Sequence, residues 1–166
     1  QNPNYGTHYD PNAIGSAAAN GNDTIIGGSD GVGNIILGGC GNDFIRGGSG
    51  NDVILGDGGY VSRNASNKVT QVRTTSPNIG GKDDIDGGAG FDVIMGGAND
   101  DKITANQGGK IILGDNGVAI LDGPTRDVYS TDYDIGGNDE IRGGADGLGN
   151  IIIGGAGSDT KLFGGS

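Results

Sequence analysis

Apolar residues fall along this chain in short bursts set nine residues apart, with glycine and acidic residues between them. Two consecutive blocks show the rhythm: Gly38-Gly39-Cys40-Gly41-Asn42-Asp43-Phe44-Ile45-Arg46, then Gly47-Gly48-Ser49-Gly50-Asn51-Asp52-Val53-Ile54-Leu55. Each block reads as a glycine turn followed by a very short strand that sends its central side chain inward. In that register the inward position is Ile25, Ile36, Ile45, Ile54, Ile85, Ile94, Ile103, Ile112, Ile141 and Ile152. Stacked β-branched side chains suit a narrow solenoid interior. The last block holds one residue too many. Leu162 is expected to take its inward slot through a bulge, because an inward Lys161 would be an unpaired buried charge.

Alternate blocks are expected to form two opposite sheets, and their outward positions differ. On the odd side these are Thr24/Ile26, Phe44/Arg46, Asp84/Asp86, Lys102/Thr104 and Glu140/Arg142, mostly polar. On the even side they are Ile35/Leu37, Val53/Leu55, Val93/Met95, Ile111/Leu113 and Ile151/Ile153, all apolar. A stripe that large needs a cover. Two segments of different texture supply a candidate. They run from Tyr60 to Asn78 and from Val118 to Asp134, and each alternates apolar and polar residues about a turn, at Asn64-Ala65 and Asp122-Gly123-Pro124. They read as hairpin-like excursions. Each leaves an even strand through a Leu-Gly-Asp-x-Gly signal, Leu55 to Gly59 and Leu113 to Gly117. The competing expectation is that part of the stripe is a lateral interface with another copy.

The chain therefore divides into an N-terminal segment (1–19), a first repeat unit (20–59), an insertion (60–79), a second unit (80–117), an insertion (118–135) and a third, incomplete unit (136–166). The final Gly164-Gly165-Ser166 opens a block that is not completed. Ends that read as uncapped are expected either to belong to a longer array or to stack head to tail on other copies.

The sixth position of each block carries the chemistry. It is Asp23, Asp43, Asp52, Asp83, Asp92, Asp101, Asp139 or Asp159, with Asn34, Lys110 and Asn150 as departures. Beside the two Asn, in an eleven-residue variant of the block, Asp30 and Asp146 are candidates for the missing carboxylate. Asp57 and Asp115, in the Leu-Gly-Asp-x-Gly signals, are further candidate oxygen ligands. The odd row is unbroken Asp, so a continuous ladder of cations is expected there and patchy occupancy on the even edge.

Read as G-G-x-G-x-D-x-U-x with U apolar, the blocks resemble the RTX, or haemolysin-type, calcium-binding nonapeptide repeat. Gly38 to Leu55 and Gly87 to Met95 carry the resemblance best. It implies an all-β fold, a right-handed parallel β-roll or β-solenoid, here with the two hairpin-like insertions. It implies Ca2+ held between stacked turns by Asp carboxylates and loop carbonyls, and a secreted or cell-surface bacterial protein. The ligands it assigns here are the eight sixth-position Asp, with Asp30, Asp146, Asp57, Asp115, Asn34 and Asn150 as supplements. It does not extend to Lys110, whose ammonium cannot ligate a cation and is expected to replace one.

Composition sharpens this reading. Gly is 39 of 166 residues, Trp is absent and the net charge is −11. So many glycines cost entropy to order, and the charge repels itself. Folding on metal follows. Neutralising the charge takes about five or six divalent ions. The acidity argues against nucleic acid, which recruits Lys and Arg. No apolar run reaches the roughly 18 residues of a membrane span. Cys40 and His8 are each the only residue of their kind, too few for a disulfide framework, a zinc site or a catalytic triad. The expected function is a non-catalytic, secreted calcium-binding structural protein that assembles with itself into a filament, surface layer or matrix. The alternative is a secretion, folding or spacer module of a larger RTX exoprotein or adhesin.

Overall fold

The computed structural model describes residues 13–15, 21–144 and 147–165. All regular structure among them is β. Two parallel sheets face each other across the isoleucine column. The even sheet orders β1 (Ala13–Gly15), β3 (Ile35–Leu37), β5 (Val53–Leu55), β9 (Asp92–Met95), β11 (Lys110–Leu113) and β15 (Ile151–Ile153). The odd sheet orders β2 (Thr24–Ile26), β4 (Phe44–Arg46), β8 (Asp84–Asp86), β10 (Lys102–Thr104), β14 (Glu140–Arg142) and β16 (Lys161–Phe163). The chain alternates between the sheets, one strand per block, which makes a parallel β-roll. β1 joins the even sheet ahead of residue 20, one strand before the expected start of the roll.

Register follows the sequence. Ile45 pairs with Ile25 and Ile85, and Ile54 with Ile36 and Ile94. The inward isoleucines form one core, fully enclosed from Ile36 to Ile141 and only partly at Ile152. Each enclosed isoleucine contributes roughly 1.5–3 kcal/mol of burial. Leu162 pairs with Ile141, as expected for the irregular last block. The extra residue lies between Asp159 and Lys161, and the Lys161 ammonium turns outward, 3.0 Å from Glu140.

The apolar even face is covered by the chain itself. The first insertion folds as β6 (Gly59–Arg63) and β7 (Val69–Thr74), the second as β12 (Gly117–Ile120) and β13 (Asp127–Ser130). The two hairpins then pair with each other, Ala119 opposite Val72, giving one antiparallel sheet of order β13-β12-β7-β6. Val61, Val72 and Ala119 from that sheet bury Val53, Leu55, Val93, Met95, Ile111 and Leu113 in a second core. The hairpin cover is the expectation that holds at Val93 and Ile111, and the competing lateral interface does not hold there, since both are enclosed within the monomer. At the far end of the stripe, Ile151 is exposed. Gly59 and Gly117 permit the fold-back. A Cβ at either would stand 2.3 or 2.2 Å from the methyl of Leu55 or Leu113.

Candidate metal centre

The turns between sheets hold the sixth-position residues. Their fourth-position glycines have φ near +115°, for example Gly41 at 116° and Gly90 at 115°, where a side chain would be strained. On the odd edge Asp23, Asp43, Asp83, Asp101, Asp139 and Asp159 stack level on level. Asp43, Asp83, Asp101 and Asp139 each divide their two oxygens between tasks. Oδ1 accepts the main-chain N–H of the Asp one level earlier. Asp23 donates to Asp43 (2.7 Å), Asp43 to Asp83, Asp83 to Asp101, Asp101 to Asp139 (each 2.8 Å), and Asp139 to Asp159 (2.9 Å). Oδ2 of Asp23, Asp43, Asp83, Asp101 and Asp139 is buried with no hydrogen-bond donor. On the even edge Asp52 behaves alike, accepting from Asn34 at 2.7 Å and leaving Oδ2 unpartnered.

A file of buried carboxylate oxygens without donors is electrostatically untenable alone. Burial pushes the Asp83 and Asp139 carboxyls up to about 7 and raises Asp101 well above the carboxylate range, with neighbouring Asp charges adding to the rise. Asp43 and Asp52 are raised for the same first reason, burial. A cation beside each Oδ2 removes both problems. Among the described residues no three acidic, His or Cys side chains converge on one point. A cation here would thus be held by carboxylates together with main-chain carbonyls, a hard, all-oxygen set that suits calcium. The residues present fit the ion that the repeat implies.

The supplementary candidates have other surroundings. Asp57 Oδ1 accepts from Gly81 N (3.1 Å) and its Oδ2 from Ala98 N (2.5 Å). Asp115 Oδ1 accepts from Gly137 N at 2.7 Å, and the main-chain N–H of Ala156 also faces this carboxylate. Burial raises Asp57 to about 8 and Asp115 to about 6. Both stand where a hairpin interrupts an odd turn, and both carboxylates bridge the interruption. Asp30 is exposed and its Oδ1 caps its own loop through Val32 N (3.0 Å). Asn34 and Asn150 lie on the even edge, each with its amide nitrogen donating to main-chain carbonyls. Asp146 lies outside the described residues, as does His8. Cys40 is a half-buried free thiol.

A second ladder was not foreseen. Fifth-position side chains accept the N–H of the following level: Asn22 from Asn42 (2.9 Å), Asn42 from Lys82, Asn51 from Phe91, Asn138 from Ser158 (each 2.8 Å). The recurring Asn-Asp pairs at 22–23, 42–43, 51–52 and 138–139 were its signal.

A parallel roll whose turns present rows of unpartnered carboxylate oxygens suits repeated binding of a hard cation. Comparison with family models agrees: residues 18–31, 30–60 and 79–109 match the RTX calcium-binding nonapeptide repeat, in 4 copies. Such repeats point to calcium binding, are typically non-catalytic, and typically occur in proteins that bacteria secrete. Comparisons with curated proteins and with solved structures find no match.

Proposed function

We propose that this chain is a non-catalytic, extracellular calcium-binding scaffold that folds on Ca2+, with Asp23, Asp43, Asp83, Asp101, Asp139 and Asp159 as its principal carboxylate ligands and Asp52 as an even-edge ligand. The observation that carries this reading is the row of buried Oδ2 atoms without donors. Asp57 and Asp115 act as turn braces in this account. About five or more ions would balance the net charge of −11. Affinities of roughly 10⁻⁴ to 10⁻³ M are expected for an extracellular module. A groove on the odd face is lined by ion pairs, Lys82 with Asp100 at 2.7 Å and Lys102 with Asp84 at 3.1 Å. Calorimetric titration of chelated protein tests the proposal. Saturable binding of several calcium ions is expected, and no heat at millimolar calcium would overturn it.

A second reading adds self-association. β15 and β16 are edge strands of their sheets, and Ile151, Leu162 and Phe163 along them are exposed. A further coil would cover them, whether it came from another copy or from the same roll continued in a larger secreted protein. Electron microscopy at millimolar calcium separates these cases. Filaments that vanish on chelation favour a homopolymer, and monodisperse particles favour the module. No helix of the described chain is long and apolar enough to cross a membrane.

A further inference from the structure

The even edge departs from Asp at three levels, and at each one an N–H donor stands where the Asp rows leave an oxygen bare. Lys110 is the clearest case. Its side chain is 0% exposed, as is that of Asp92, and Nζ lies 2.9 Å from Asp92 Oδ2. The same ammonium donates to the main-chain oxygens of Gly88 (3.4 Å), Gly90 and Gln107. Lysine is almost never fully buried unless paired, and an ammonium has three donors and nothing to accept. Here it is surrounded by one carboxylate and three carbonyls, all oxygen, contributed by two successive levels. That is the kind of donor set that holds a calcium ion. Strand register sets Lys110 opposite Asp92, and its four-carbon stem reaches back between the turns that precede β9 and β11.

The two asparagines repeat the substitution in weaker form. Asn150 Oδ1 keeps the ladder, accepting from Lys110 N at 3.0 Å. Its other terminal atom is then Nδ2, a donor, which bonds the carbonyls of Gly164 (2.6 Å) and Gly144 (3.3 Å). Asn34 Nδ2 donates to the Gly47 carbonyl (3.1 Å) and to Asp52 Oδ1 (3.0 Å).

We propose that Lys110 is a built-in replacement for one calcium ion between the turns that precede β9 and β11, and that Asn34 and Asn150 close their own even-edge levels with amide donors. The even edge is then held at those levels by the protein's own N–H groups, and dependence on calcium is concentrated on the odd edge. This rests on the calcium reading above and assigns which levels need the metal.

The test is a crystal structure of the native chain in millimolar calcium, with anomalous scattering to locate the ions. Calcium along the odd row, with the Lys110 ammonium still among Gly88, Gly90, Gln107 and Asp92, is the expected result. Calcium inside that cage with the lysine swung to solvent would overturn this inference and leave the calcium reading intact. Calcium at no level would overturn both. Calorimetry gives an independent count. Lys110→Asp should bind one more ion per chain than the native protein, and Lys110→Met should bind the native number with lower stability. An unchanged count in a folded Lys110→Asp protein would contradict the replacement.

Discussion

At the scale of the residue, one atom separates a metal ligand from a structural donor. An Asp at the sixth position spends Oδ1 on the ladder and keeps Oδ2 for a cation. An Asn keeps the ladder and converts the second atom into a donor. Asp83→Asn should therefore preserve the hydrogen bond from Asp43 N yet weaken calcium binding at its level by about tenfold or more, roughly 1.4 kcal/mol. Calorimetry checks it, and native affinity in the variant would remove Asp83 from the ligand set. The same oxygens give the metal-free protein an unusual pH dependence. Burial raises Asp83 and Asp139 to about 7, Asp92 to about 6 and Asp57 to about 8, all from 3.8. A carboxyl whose folded value lies above its unfolded one stabilises the fold fully below the unfolded value. That stability is lost as pH rises through the folded value. Calcium-free protein should thus gain β-structure by circular dichroism as pH falls from about 8 to about 4, and calcium should abolish the dependence. The Asp rows were legible in the sequence because metal ligation needs a fixed residue type at a fixed spacing. Carbonyl ligands were implied only through the family resemblance, since a main-chain oxygen leaves no residue signature of its own. Lys110 alone betrayed its cage, by placing a cation where its neighbours place an anion.

At the scale of the element, three-residue strands have little cohesion of their own and depend on what stacks around them. Their glycine turns and inward isoleucines could be read directly from the nine-residue period. The even face could be read as apolar. What the sequence did not encode locally was the union of the two hairpins, because β7 and β12 are brought together only after two further coils of the roll are wound. Val93 lies beneath that joint sheet at 2% exposure. Val93→Asp should destabilise the calcium-bound monomer by roughly 4 kcal/mol or more, a buried charge without a partner. Thermal unfolding of the monomer measures it, and an unchanged midpoint would mean that the sheet does not seat there in solution. Asp57 belongs to this scale as well. It was read as a candidate ligand, yet its carboxylate ties Gly81 and Ala98 across the root of the first hairpin. Asp57→Ala leaves both buried donors unpaired and should cost about 1–3 kcal/mol for each. Stability equal to the native protein at saturating calcium would argue against the brace.

At the scale of the whole molecule, two cores and a charged edge compete. The isoleucine column and the hairpin-covered face favour the roll, while the odd row of Asp and a net charge of −11 oppose it. The outer odd face offsets little of that charge. Its pairs, such as Arg46 with Asp84 at 2.9 Å and Arg142 with Glu140 at 2.9 Å, lie at the half-exposed surface and contribute only weakly. In the proposed account calcium is the component that reconciles the edge with the cores. Mg2+ should replace it poorly, because it demands a smaller, stricter octahedron and gives up its water reluctantly. The most direct measurement is far-ultraviolet circular dichroism at neutral pH on fully chelated protein, followed through a calcium titration. The account predicts a largely disordered spectrum that converts cooperatively to β-structure as calcium reaches the submillimolar to millimolar range. A chelated chain that already shows the full β spectrum, unchanged by calcium, would contradict it.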